Sequence, residues 1–274
     1  MATLTPEWLK TALEVTGGFE TDGNPWAGIS NDFDNMGISC GILQWNIGQG
    51  SLQPLVKKCG LPAVQKYMPA HGNELWTACQ GTIPNGLQIV RNWQPNKKLK
   101  PDVMSELRTL FGSPEMIEQQ MAAAQHVGEQ SMNLASQWAN ELGGGEPRLK
   151  EFCLFFDLIT QSGGMKGVWL DDVRTFIAQN GGRANVDDVI CNWILNRPAD
   201  VQHLGDGRKN AALWKNNVAD ADVELFTLAY LRCLKSKVIF QVVALNRRGT
   251  IAQTSGWVNS GKVDLSQLRN GTPN

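Results

Sequence analysis

Thr5-Pro6-Glu7-Trp8-Leu9-Lys10-Thr11-Ala12-Leu13-Glu14-Val15-Thr16-Gly17-Gly18-Phe19-Glu20 is the stretch on which the fold turns. Thr5 offers a capping hydroxyl, and Pro6 lacks an N–H that the first helical turn leaves unpaired anyway. Trp8, Leu9, Ala12, Leu13 and Thr16 recur at helical spacing. That spacing predicts a helix from Pro6 to about Val15, with Gly17-Gly18 as its stop and Glu20 just beyond. From Thr21 to Gly50 the texture changes. Gly, Asn, Asp and Ser punctuate short apolar pieces, as in a β-hairpin or small sheet with long turns.

Downstream the pattern is helical. Short helices are predicted over residues 52–59, 61–68 and 72–82, with Lys97-Lys98-Leu99-Lys100 as a solvated linker. A helix begins near Pro101, breaks at Gly112-Ser113 and restarts at Pro114, then keeps one apolar phase as far as the glycines at 143–145. Residues 149–159 are apolar almost all round, which predicts a central helix buried on every side. Asp157 lies inside that run and must be paired or protonated there. Further helices are predicted over 170–179, 186–195, 208–216, 223–234 and 238–248. Of Arg247 and Arg248, one suits the helix C-terminus before Gly249 and the other is free to turn inward to Asp157. The expected fold is α+β and predominantly helical. It is a single domain over 1–274, with a small β-rich lobe at about 20–50 after the first helix.

Composition narrows the function. Across 274 residues, 25 basic and 26 acidic side chains leave a net charge of −1, so no overall field draws the chain to nucleic acid or an anionic membrane. The longest strongly apolar stretch, 238–245, contains Gln241 and falls far short of the roughly 20 residues that span a bilayer. No membrane insertion is expected. Residues 1–20 lack the basic region, apolar core and cleavage site of a secretory signal. The six cysteines form no C-x-x-C pair and read mainly as small buried hydrophobes, with disulfides left open. Three scattered histidines supply a metal site thinly, and no cofactor is expected. The serine-hydrolase elbow, the zinc-protease helix motif and the phosphate-binding glycine loop are all missing from the sequence.

What remains is a tight group of carboxylates, Glu20, Asp22, Asp32 and Asp34. Glu20 follows a helix C-terminus, whose unpaired carbonyls disfavour an ionised carboxylate, as a general acid requires. Asp32 and Asp34 lie in a polar turn that keeps a carboxylate ionised. One raised and one ordinary carboxylate is the pair that glycoside hydrolysis uses.

Gly18-Phe19-Glu20 followed by Asp32-Phe33-Asp34-Asn35-Met36-Gly37-Ile38-Ser39-Cys40-Gly41-Ile42-Leu43-Gln44-Trp45-Asn46 resembles the active-site stretch of lysozyme-like peptidoglycan hydrolases. It is similar, more distantly, to the family 46 chitosanases. The resemblance extends more weakly through residues 157–164 and Asn246-Arg247-Arg248-Gly249-Thr250-Ile251-Ala252. It implies a muramidase that cleaves β-1,4 bonds of bacterial peptidoglycan, or a chitosanase-type hydrolase, or a non-catalytic wall-binding or inhibitor-binding module of the same fold. Carried over, the acid falls on Glu20, the water-handling carboxylate on Asp34 and a supporting hydroxyl on Ser39. Trp26, Asp32, Gln44, Trp45 and Gln161 are the expected substrate contacts. The implied partners are peptidoglycan glycan strands and an immunity or inhibitor protein. The implied place of action is the periplasm or cell wall, reached by a secretion apparatus, a parent polypeptide or phage lysis machinery.

Overall fold

The computed structural model describes residues 2–19, 24–32 and 35–269. It is mostly helical with small antiparallel sheets, as the sequence predicts. The chain divides into two compact units, Leu9–His126 and a second formed by Met1–Trp8 with Val127–Asn274. The small N-terminal sheet lies within the mainly helical unit Leu9–His126.

The unit Leu9–His126 contains most of α1 (Pro6–Gly18), then β1 (Ile29–Ser30), β2 (Ser39–Cys40) and β3 (Trp45–Asn46). There follow α2 (Leu52–Cys59), α3 (Leu61–Tyr67), α4 (Gly72–Gln80), α5 (Ile83–Asn92), α6 (Pro101–Phe111) and the start of α7 (Pro114–Leu142). Thr5 caps α1 by accepting the Trp8 N–H at 3.2 Å. The helix ends at Gly18, at the predicted Gly17-Gly18 stop. A Cβ at Gly17 would lie 2.3 Å from Ile42 Cγ1, so this glycine also permits a close contact. One expectation changes here. Leu99 is buried in the core and makes the lysine-rich segment more than a linker. α5 is a helix that the sequence reading did not name; Thr82 caps it, and Gly86 lies against the Ala78 carbonyl.

The strands form an antiparallel meander in which Ile29 opposes Cys40, and Cys40 opposes Trp45. These three pack on the core, which includes Ile38, Ile47, Leu110 and Phe111. Ser30, Ser39 and Asn46 oppose one another in the alternate register and therefore share the other face.

The second unit takes the rest of α7, then α8 (Leu149–Ser162), α9 (Leu170–Gln179), α10 (Val186–Leu195), α11 (Leu204–Trp214), α12 (Val223–Cys233) and α13 (Gln241–Gln253). A hairpin of β4 (Ser255–Val258) and β5 (Gly261–Asp264) closes it. Every residue of α8 from Leu149 to Leu158 is buried. Asp157 is fully buried and meets Arg247 and Arg248, the latter at 3.5 Å. Both arginines turn inward, because α13 continues through Gly249 and neither stands at a helix end. A Cβ at Gly249 would lie 2.5 Å from Trp214 Cη2, so the glycine lets α11 and α13 approach. The C-terminal hairpin is absent from the sequence-based expectation. Asn259 and Ser260 both adopt positive φ, 51° and 69°, as a two-residue turn of the mirror-image type demands.

All six cysteines are free thiols, and all except the half-buried Cys59 are buried. No helix among the described residues is long and apolar enough to cross a membrane.

Two stability outcomes follow from these contacts. Alanine for glycine inside a helix normally stabilises, by up to about 1 kcal/mol. Gly249→Ala should do the reverse, lowering stability in urea by about 1–3 kcal/mol through overpacking against Trp214. Asp157→Asn should cost about 3–5 kcal/mol, because two guanidiniums then stay buried without a counter-charge.

Candidate functional site

Glu20 and Asp34, the expected acid and water-handling carboxylate, lie outside the described residues, as does Asp22. The frame around them is described, and it belongs to the sheet of the unit Leu9–His126.

Asp32, two residues before Asp34 in the sequence, is almost wholly buried. One oxygen accepts the Gly37 N–H at 2.8 Å, and the other accepts Arg91 Nε at 2.8 Å. Its own N–H donates to Gln94 Oε1 at 2.8 Å, and Gln94 Nε2 donates to the Gly37 carbonyl at 3.0 Å. Arg91 also donates to the Asn35 carbonyl at 3.0 Å. Burial alone would raise the Asp32 pKa. The Gly37 N–H and the Arg91 guanidinium outweigh it and hold the carboxyl below its ordinary value. Asp32 therefore clamps the turn between β1 and β2, with both oxygens engaged inside the protein. The positive φ of Gly37, 88°, is the backbone bend this clamp needs.

Ser39 lies on β2, buried, on the polar side of the sheet between Ser30 and Asn46. Its hydroxyl makes no hydrogen bond among the described residues, while its neighbours are engaged. Ser30 Oγ donates to Gln44 Oε1 at 2.7 Å, and Asn46 Oδ1 accepts the Gln49 N–H at 2.8 Å. Gln44 also donates through Nε2 to the Gly41 carbonyl at 2.9 Å, which fixes its left-handed turn at φ 55°. Ser39 and Gln44 are thus brought together around Ser30.

The two tryptophans expected to line a cleft do not join them. Trp45 is half-buried on the core side of the sheet, opposite the Ser39 row. Trp26 is buried in a short 3₁₀ turn capped by Asn24, and its carbonyl accepts Gln120 Nε2 at 3.3 Å. Gln161 is exposed in the last turn of α8, in the other unit.

Three residues that hold this frame were not singled out from the sequence: Arg91, Gln94 and Gln120. Gln120 is fully buried, accepts the Ile42 N–H at 2.8 Å and donates to the Phe111 carbonyl at 2.9 Å. A Cβ at Gly41 would lie 2.5 Å from its Oε1. An amide at an inward position of α7, four residues after Met116 and four before Ala124, is the signal that marks it. Nothing in the local pattern marks Arg91 or Gln94. Among the described residues, no group of three or more His, Cys, Asp or Glu side chains is arranged to hold a metal.

The clamp has a definite pH signature. A carboxyl with a lowered folded-state pKa stabilises fully above its unfolded pKa and loses that contribution as pH falls through the folded value. Asp32→Asn should cost about 1.5–3 kcal/mol at pH 7. The gap to wild type in urea melts should then close in strong acid, below the ordinary carboxylate range. A gap that stays constant with pH would place the stabilising charge elsewhere.

Comparison of the chain with protein-family models, with curated proteins and with solved structures finds no match.

Proposed function

We propose that this chain is a glycoside hydrolase of the lysozyme-like class, cleaving β-1,4 bonds of bacterial peptidoglycan. The observation that carries the reading is Ser39: a buried serine whose hydroxyl makes no hydrogen bond among the described residues, on the polar face of a small sheet that follows the first helix. Asp32 adds support by elimination. With both its oxygens held by Gly37 and Arg91, the water-handling role passes to Asp34.

In this proposal Glu20 delivers its proton to the bridging oxygen as the bond to the anomeric carbon breaks. A water held by Asp34 and the Ser39 hydroxyl attacks that carbon from the opposite face, and Asp34 takes the water's proton. One displacement of this kind inverts the anomeric centre. Gln44, tied to Ser30 beside Ser39, presents the nearest amide for ring substituents.

Turnover of purified peptidoglycan, followed by mass spectrometry of the products, tests the assignment, with chitosan as a parallel substrate. Glu20→Gln should lower the rate by about 10²–10⁴-fold with an unchanged melting temperature. Ser39→Ala should lower kcat by a smaller factor, and the first-formed anomer seen by NMR should be the inverted one. Undiminished lysis by Glu20→Gln removes Glu20 from the mechanism. Wall binding without turnover in both proteins makes the chain a binding module.

A further inference from the structure

A second feature of the unit Leu9–His126 has no part in that chemistry. Where α4, the end of α5 and the segment before α6 meet, a pocket of about 370 Å³ is lined by His71, Glu74, Ile89, Asn92, Trp93 and Lys100, among others. Its volume falls within the range of small-molecule sites, and its lining combines an apolar floor with a few convergent polar groups.

The walls are fixed by contacts that leave specific atoms unused. His71 Nε2 lies 3.2 Å from Asp102 Oδ2 and its Nδ1 lies 3.6 Å from Glu74 Oε2, so both ring nitrogens face carboxylates. The Ala70 and His71 N–H groups donate to Glu106 at 3.1 and 3.0 Å, tying the start of α4 to α6. Trp93 Nε1 donates to Glu74 Oε2 at 2.5 Å, which leaves Glu74 Oε1 available. The Lys100 N–H donates to the Trp93 carbonyl at 3.0 Å, while its exposed ammonium forms no ion pair among the described residues. Glu74 and Lys100, of opposite charge, therefore both line the pocket, and Lys100 forms no ion pair among the described residues.

Several ligand classes fit poorly. A polyanion would meet Glu74 beside the single lysine. A metal ion would find both nitrogens of His71 already facing carboxylates. A sugar needs an aromatic face to stack on, and Trp93 is only 2% exposed. We propose that the pocket binds a small zwitterion, an amino acid or short peptide. Its ammonium pairs with Glu74, its carboxylate with Lys100, and its apolar part rests on Ile89.

Titration of alanyl-alanine into the ¹⁵N-labelled full chain, read at the Trp93 indole N–H, tests this directly. The signal should move saturably. Glu74→Gln keeps an acceptor for the indole, and Lys100→Ala removes only an exposed side chain, so both should fold. Each should weaken binding by about three- to tenfold. Acetylating the peptide's amine should weaken binding to wild type but leave Glu74→Gln little further affected, and amidating its carboxylate should do the same with Lys100→Ala. The proposal is overturned if alanyl-alanine produces no shift, if the doubly blocked peptide binds as well, or if N-acetylglucosamine binds in its place. The outcome is independent of whether the chain hydrolyses peptidoglycan.

Discussion

A fully buried carboxylate, Asp157, facing two arginines of α13 is the constraint around which the second unit is built. A helix apolar on every side has no intrinsic preference for one rotation or one depth, because apolar surfaces of similar volume substitute for one another at small cost. Charge removes that freedom. An ion in a core is tolerable only where its counter-ion sits at hydrogen-bond distance, so Asp157 fixes the register of α8 against α13. The far end of the same helix is held in the same way. Lys150 Nζ donates to Asp222 at 2.7 Å, and Arg148 bridges Asp222 at 2.8 Å and Glu151 at 2.7 Å. Around Asp157 the charges are less balanced. Arg232, almost wholly buried, donates to the Gly164 carbonyl at 3.1 Å, and burial together with Arg248 pushes its pKa down to about 10. Arg248 donates to Ser162 and is also lowered, chiefly by burial, with Asp157 opposing the shift. Three cations converge on the end of α8 where the chain turns through Gly163 and Gly164.

The unit Leu9–His126 solves a different problem. Three strands of two residues each carry few ladder hydrogen bonds, and such a sheet is not stable alone. Its turns are held instead by side-chain amides from the helices. Gln94 substitutes for backbone partners at Asp32 and Gly37, and Gln120 does so at Ile42, Phe111 and Trp26. Each amide accepts one N–H and donates to two carbonyls, which neither a carboxylate, with no donor, nor a hydroxyl, with one, can match.

This division explains what could be read from the sequence. Helix starts at Pro6, Pro101 and Pro114, the break at Gly112-Ser113 and the buried run of α8 follow from local chemistry and appear where expected. The errors fall where tertiary contact overrides a local signal. Gly249 looks like a helix end, yet it lies inside α13 and makes room for Trp214. Leu99 among lysines looks solvated, but one apolar side chain suffices to anchor a segment. For the candidate site, Ser39 and Gln44 came from the resemblance and from the residues beside them, and the structure places both next to Ser30. The locked state of Asp32 was not, because its partners Arg91 and Gln94 lie about sixty residues away. The face that Trp45 takes was not legible either, because strand register is invisible until the pairing with Cys40 is known.

The end of α5 links the two features of this unit. Arg91 and Gln94 reach the turn at Asp32, while Asn92 and Trp93 between them line the pocket. The chain leaves α5 between Asn92 and Gln94, so these four consecutive side chains serve two surfaces at once. The Trp93 backbone is itself fixed from the pocket side, since its carbonyl accepts the Lys100 N–H and its indole is held by Glu74. A change in the pocket that moves Trp93 must therefore also strain the Arg91 and Gln94 contacts at Asp32. Packed interiors pass such small displacements along because they have no free volume in which to absorb them.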